Sequence, residues 1–164
     1  MHLIGALALC GAIGLLVWIA ICDFRTLTIR NRYILILIAL YVPTLFYRGF
    51  ESLPSDLIAA AVLFVIGFIS WELRMIGGGD VKLFFALGLY LGYDGLGAFC
   101  VLLLVLSLAA LLGLTLVRKF AVPEPSSYIM QRLKVITAEQ KLPYGVILIG
   151  ASLPPIVAGA LTIG

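Results

Sequence analysis

Long apolar runs separated by short polar segments restrict most strongly how this chain can fold. Of its 164 residues, 63% are hydrophobic and 12% are charged. A helix that crosses a bilayer needs about 20 predominantly apolar residues. The charged residues, glycines and prolines divide the sequence into six candidate spans, at 3–22, 33–48, 56–74, 81–94, 96–117 and 143–163. We therefore predict an all-α membrane protein, a bundle of six transmembrane helices that forms a single domain, 1–164.

The first apolar segment does not have the pattern of a cleaved signal peptide. No lysine or arginine precedes its apolar core, and no polar region with a small-residue cleavage site follows it. We expect residues 1–22 to be retained as the first span.

Residues that commonly bind metals or act as nucleophiles are scarce. Cys10, Cys22 and Cys100 lie in or beside apolar segments without C-x-x-C spacing, and His2 is the only histidine. This pattern argues against a zinc site or a disulfide framework. It also leaves no imidazole in the bundle for a Ser-His or Cys-His mechanism. We predict neither a metal nor another cofactor.

The basic residues are distributed very unevenly between the two sides of the predicted bundle. Arg48 alone lies on one side. The other side has Arg25, Arg30, Arg32, Arg74, Lys82, Arg118, Lys119, Arg132, Lys134 and Lys141. The positive-inside rule places the loops 23–32, 74–82 and 118–142 in the cytoplasm and both termini outside. The basic residues are dispersed and no nucleic-acid-binding motif accompanies them, so we predict no nucleic-acid partner.

The longest polar stretch, 118–142, allows two interpretations. In its second half, 126–141, Ile129, Leu133 and Ile136 recur at helical spacing between charged residues. This spacing is typical of an amphipathic helix lying at the membrane interface. A solvated connector is the alternative.

Two aspartates lie at positions where a charge is costly. Asp23 ends the first apolar stretch and Asp80 begins the fourth. An ionisable residue at membrane depth is a candidate functional residue, and packing of the first and fourth helices side by side would bring the two carboxyl groups together. Two close carboxylates do not both ionise readily, so one holds a proton. The ionised partner can then deprotonate water while the protonated partner polarises a carbonyl, so we predict acid–base chemistry on a peptide.

The glycine run before Asp80 also allows two interpretations. Gly77, Gly78 and Gly79 can adopt backbone angles closed to other residues and let another backbone approach. A substrate peptide must be extended at the cut, and a glycine-lined edge could pair with it as an added strand. Alternatively, the glycines form a tight interhelical turn and Asp80 caps the following helix.

Three sequence motifs resemble those of one protease family. Gly-Gly-Gly-Asp-Val-Lys at 77–82 resembles the GxGD motif of membrane-embedded aspartyl proteases, in the form typical of type IV prepilin peptidases. Asp23, followed by Ile29 and Asn31, resembles the first-aspartate motif, in which Ile-Pro-Asn follows a basic stretch. Leu-Pro-Tyr-Gly at 142–145 resembles the Pro-Tyr-Gly signature that begins the last helix.

The chain departs from that family's pattern in two ways. Arg30 stands where the family usually has proline. The larger, bifunctional members also carry a cytoplasmic region with paired cysteines and methylate the new N-terminus, and this region is missing here. The chain therefore resembles the short, peptidase-only form of tight-adherence (Flp) pilus systems, and the resemblance implies no N-methyltransferase activity.

The resemblance also implies a substrate and a set of site residues. The substrate would be a prepilin or pseudopilin whose short basic leader is removed at the cytoplasmic face of the bacterial inner membrane, with membrane lipid as the other partner. Asp23 and Asp80 would be catalytic. Substrate-binding roles would fall to Gly77, Gly78, Gly79, Lys82, Asn31 and Tyr144. No oligomeric state is predicted.

Two alternatives remain open from the sequence. One is an archaeal preflagellin peptidase or another intramembrane GxGD protease, which would differ in the position of the cut. The other is a small ion-coupled transporter or a pilus assembly subunit, in which the aspartates relay protons or bind a cation.

Overall fold

The part of the chain that the structure describes is all-helical. A computed structural model describes residues 2–119 and 143–163, and no strand occurs among them. Five helices follow in chain order: α1 (His2–Thr26), α2 (Asn31–Arg48), α3 (Leu53–Glu72), α4 (Gly78–Lys119) and α5 (Tyr144–Ile163). A short 3₁₀ turn, Phe50–Ser52, precedes α3. The predicted all-α class is confirmed, whereas the predicted amphipathic segment 126–141 lies outside the described residues.

Four of the described helices are long and apolar enough to cross a membrane. The qualifying stretches are Leu3–Thr26, Phe50–Glu72, Gly78–Gly113 and Tyr144–Leu161. They support a multi-pass membrane protein, because each has at least the length that a span requires. The predicted count of six spans and the predicted orientation of the termini stay predictions.

Helix α4 reverses direction at Gly92. This residue has φ 60° and ψ −179°, angles that lie outside the helical region. Phe84 and Phe99, on either side of it, have ring centroids 6.3 Å apart, whereas a continuous helix would separate them by about 22 Å along its axis. The chain therefore folds back on itself as two segments, 78–91 and 93–119. The sequence had placed this break near residue 95, but the backbone requires a positive φ at the turn, which glycine adopts without strain.

Arg48 stabilises this reversal from a neighbouring helix. Its Nη1 donates hydrogen bonds to the backbone oxygens of Leu89 (3.1 Å) and Tyr90 (3.2 Å), which end the first segment of α4 and would otherwise lack partners. Its Nη2 forms a 3.0 Å salt bridge with Oδ1 of Asp56. The hydroxyl of Tyr41 donates to the other oxygen, Oδ2, at 2.7 Å. The only arginine predicted on the outer side thus belongs to a largely buried polar network.

Tight helix packing at one glycine joins α3 to α4. A β-carbon at Gly88 would collide with the backbone of Ala60, so no larger residue fits while the two backbones stay this close. Small residues permit this close approach between membrane helices. The contact holds the first segment of α4, which carries Asp80, against α3.

Helices α1 and α4 share no extended interface in the described structure. Instead, α2 and α5 each pack against both of them. The prediction that the first and fourth helices pack side by side, and so bring the aspartates together, is therefore wrong. Helix positions are set by the shapes of the buried side chains, which place two neighbours between α1 and α4 and let only their ends converge. The last turn of α1 and the first turns of α4 and α5 lie together at one end of the bundle. We call it the aspartate end.

Candidate active site

Asp23 is a buried carboxyl group in the last turn of α1. The residue is 4% exposed. Among the described residues, its Oδ2 is the only buried side-chain oxygen or nitrogen without a hydrogen-bond partner. A buried polar atom without a partner is costly and calls for a functional explanation. Asp23 therefore has an oxygen available for a molecule that enters the site.

The first turn of α5 covers this carboxyl group. A β-carbon at Gly145 would lie only 2.7 Å from Oδ2 of Asp23 and 2.9 Å from its Cγ. The backbone N–H groups of Gly145 and Val146 point towards the carboxyl group, although neither donates to Oδ2. Tyr144 begins the helix and packs, partly buried, against the apolar core. The Pro-Tyr-Gly motif thus brings a glycine backbone against the first aspartate.

Asp80 lies in the first turn of α4 and caps the helix. Its Oδ2 accepts a 3.0 Å hydrogen bond from the backbone N–H of Gly77, and its own N–H donates to the oxygen of Gly77 at 3.0 Å. This reciprocal pairing resembles the carboxylate half of a capping box. Asp80 is half-buried. The capping interpretation of this residue is therefore correct, and it is compatible with a role at the site.

The two carboxyl groups lie at the same end of the bundle. Gly145, which packs on the Asp23 carboxyl group, and Gly79, which directly precedes Asp80, both lie against Ile29. In the described residues, no three His, Cys, Asp or Glu side chains are grouped so that they could hold a metal ion. The arrangement offers one buried carboxyl group with an unpaired oxygen beside a second one that is capped by a backbone donor.

The glycine run does not form an extended edge. Gly78 and Gly79 belong to the first turn of α4, and none of the three glycines has a positive φ. The predicted added strand is therefore not preformed, because the backbone groups of this turn are committed to helix geometry. Gly79 is needed because there is little space beside it: a β-carbon there would lie 3.2 Å from Cβ of Ile29. A β-carbon at Gly78 would make an ordinary 3.6 Å contact with Trp71.

Lys82 and Asn31 meet across the aspartate end. The Lys82 Nζ donates a 2.9 Å hydrogen bond to Oδ1 of Asn31, and both side chains are exposed. The bond joins the first turn of α2 to the second turn of α4. Beside it lies an apolar groove of about 360 Å³, lined further by Ile34, Leu35, Ile38, Phe64 and Phe85. The structure thus brings together two of the residues predicted to bind substrate.

Sequence reasoning missed two residues of this site. Gly145 contacts Asp23 directly, and Ile29 lies between Gly145 and Gly79. Both were present in the motifs that carried the family resemblance. Their identities alone do not reveal that they face the aspartates, because that depends on how the loops fold.

A known protein family matches more than half of the chain. The chain matches the type IV leader peptidase family over residues 10–117, a region that contains both aspartates, the glycine run, Asn31 and Lys82. No curated protein and no solved structure is similar enough to the chain to be matched. The chain belongs to the type IV leader peptidase family and is a membrane peptidase of that type.

Proposed function

We propose that the protein is an aspartyl endopeptidase that removes the short basic leader from prepilin or pseudopilin precursors at the cytoplasmic face of the bacterial inner membrane. The observation that carries this proposal is the position of Asp23 and Asp80 at one end of the bundle, where Gly145 on Asp23 and Gly79 before Asp80 both lie against Ile29. Family membership supports a peptidase, and the two carboxyl groups supply the acid and the base that peptide hydrolysis requires.

The proposed reaction uses water as the nucleophile. The ionised carboxylate of the pair accepts a proton from water while the water oxygen attacks the scissile carbonyl carbon. The protonated carboxyl group donates its proton to the carbonyl oxygen, which gives a neutral tetrahedral intermediate. The intermediate collapses when the C–N bond breaks: the carboxyl group that took the proton from water donates it to the leaving nitrogen, and the other carboxylate accepts a proton from a hydroxyl group, whose oxygen becomes the new carbonyl oxygen. This restores one ionised and one protonated carboxyl group. No covalent enzyme intermediate forms.

The predicted topology suits a substrate with a basic leader and a hydrophobic helix. The positive-inside rule places the aspartate end at the cytoplasmic face. A leader in the cytoplasm would end there, just where the hydrophobic helix of the precursor enters the bilayer. The chain lacks the cysteine-bearing cytoplasmic region of bifunctional relatives, so the proposal does not include methylation of the new N-terminus.

The test is cleavage of candidate precursors by the intact membrane protein. We expect a co-expressed prepilin to lose its leader, at a position that mass spectrometry of the product will define, and its new N-terminus to be unmethylated. Asp23→Asn and Asp80→Asn should each abolish cleavage while the protein remains folded in the membrane. Asp94→Asn is the matched control, because Asp94 is exposed and lines a cavity with Arg48, at the other end of the bundle.

Each alternative has a distinct result in this experiment. Cleavage within a membrane span would indicate an intramembrane protease instead. Cleavage retained in either Asn variant would reject the aspartate pair. Proton or cation flux in proteoliposomes, with no cleavage of any precursor, would favour the transporter.

A further inference from the structure

We propose that Ile29 is a positioning residue that sets the separation of Asp23 and Asp80. This inference rests on the proposed function. Ile29 lies between the backbones of two glycines: its Cδ1 would be 3.0 Å from a β-carbon at Gly145, and its Cβ would be 3.2 Å from one at Gly79. Both distances are tight for carbon contacts, so the isoleucine fills the space between the two glycines.

Each of these glycines is tied to one aspartate. Gly79 directly precedes Asp80, and Gly145 packs on the carboxyl group of Asp23. A smaller or larger side chain at residue 29 therefore changes the distance between the part of the site that holds Asp23 and the part that holds Asp80. Direct packing of α1 on α4 does not fix this separation, because these helices share no extended interface.

The loop that carries Ile29 is held by its own hydrogen bonds. Leu27 has a positive φ of 51°, which turns the chain out of α1, and its N–H donates to the oxygen of Asp23 at 2.8 Å. The hydroxyl of Thr28 donates to the oxygen of Thr26 at 3.1 Å. Residues other than glycine seldom adopt a positive φ, so the turn is specific. It directs the chain back so that Ile29 enters the space between Gly79 and Gly145.

Packing of this kind transmits small changes, since protein interiors are close-packed and compress little. A pair of carboxyl groups that act together on one water and one carbonyl depends on their separation. A displacement of about 1 Å can lower a rate by about 100-fold. The predicted signature of a positioning residue is therefore a loss in kcat with little change in KM.

The kinetic test uses a graded series at residue 29 with a matched control. Ile29→Val removes only Cδ1, the atom that faces Gly145, and Ile29→Ala removes all atoms beyond Cβ. We expect kcat for cleavage of a prepilin to fall a few-fold in the first variant and by about 10-fold or more in the second, with KM within about two-fold of wild type. Ile13→Ala is the control, because Ile13 of α1 is also a partly buried isoleucine packed on the core and lines no part of the site, and its kcat should stay within about two-fold of wild type.

A second measurement reports the separation itself and does not depend on activity. In a background in which Cys10, Cys22 and Cys100 are replaced by serine, the pair Asp23→Cys and Asp80→Cys is joined with thiol cross-linkers of graded length. We expect Ile29→Ala to change or broaden the range of lengths that react, and Ile13→Ala to leave it unaltered. Cross-linking of the cysteine pair also reports the distance between residues 23 and 80 in any variant whose activity is too low for kinetics.

The outcomes separate this inference from the proposed function. If wild type cleaves no prepilin, the proposed function fails. If wild type cleaves and Ile29→Ala has the same kcat and the same cross-linking range, Ile29 does not set the spacing. If Ile13→Ala loses as much kcat as Ile29→Ala, Ile29 contributes to general stability only, and the proposal is overturned.

Discussion

Gly145 packs directly on the carboxyl group of Asp23, with room for a hydrogen but not for a methyl group between them. A β-carbon at residue 145 would lie 2.7 Å from Oδ2 and 2.9 Å from Cγ. Real β-carbons do not approach other atoms this closely, so the start of α5 and the end of α1 can touch in this way only if residue 145 is glycine. The contact links the last helix to an aspartate carried by the first.

The first prediction concerns this contact. Gly145→Ala should displace either α5 or the Asp23 side chain, and we expect peptidase activity to fall by about 100-fold. Prepilin cleavage in detergent or in membranes measures the effect. Gly159→Ala is a control on the same helix, because a β-carbon there would meet no atom within 4 Å. Full activity in Gly145→Ala would show that the first turn of α5 is not needed to hold Asp23.

The second prediction separates neighbouring glycines. Gly79→Ala adds a methyl group 3.2 Å from Cβ of Ile29, whereas Gly78→Ala adds one at an ordinary 3.6 Å from the Trp71 ring. We expect Gly79→Ala to lower kcat by about 10-fold or more and Gly78→Ala to lower it by no more than about two-fold. Cleavage kinetics of the two purified variants provide the comparison. Equal losses would mean that the glycine run is needed for flexibility and not for space at one position.

The third prediction concerns Lys82 and Asn31. Their hydrogen bond is exposed, so its loss should cost no more than about 1 kcal/mol of stability. If the pair contacts the substrate, Lys82→Met and Asn31→Ala should raise KM more than they lower kcat. Arg32→Met serves as the control, because Arg32 is an exposed base on the same turn of α2 that stacks on Tyr33. An unchanged KM in both variants would remove Lys82 and Asn31 from the substrate site.

The fourth prediction concerns the polar network at the other end of the bundle. Arg48→Met leaves Asp56, which is fully buried, without its cation, and should destabilise the protein by about 3–5 kcal/mol. Adding Asp56→Leu to Arg48→Met removes the unpaired charge, so the double variant should lose less stability than the sum of the two single variants. Denaturant unfolding in detergent micelles measures both. Strict additivity would show that the two side chains act independently.

The sequence predicted which elements carry the two aspartates better than it predicted how the helices bring them to one end of the bundle. Asp23 and Asp80 could be placed at the same end of the bundle because the distribution of basic residues and the motifs around them agreed. The prediction for the glycine run was partly wrong. Three glycines permit either an extended edge or the start of a helix, and only the fold shows which of the two forms. Ile29 could not be singled out, since its importance comes from two glycines that are distant in the sequence.

Two features of the fold followed from tertiary contacts that no local pattern reports. The turn in α4 could have formed at any of several small or polar residues near 92–95, and the φ of Gly92 selects one of them. Arg48 was predicted only as a loop charge, yet it binds the backbone at that turn.

The reversal at Gly92 divides α4 into two segments, and different contacts hold each of them in place. The segment that carries Asp80 is fastened at its far end by the Arg48 guanidinium, which is itself anchored to Asp56 of α3. Residues 93–119 begin with a bond of their own to the same helix, because the N–H of Tyr93 donates to Oγ of Ser55 at 3.0 Å. Both segments of α4 are therefore fastened to α3 beside the turn, so the depth of Asp80 in the bundle depends on α3 as well as on the helix that carries it.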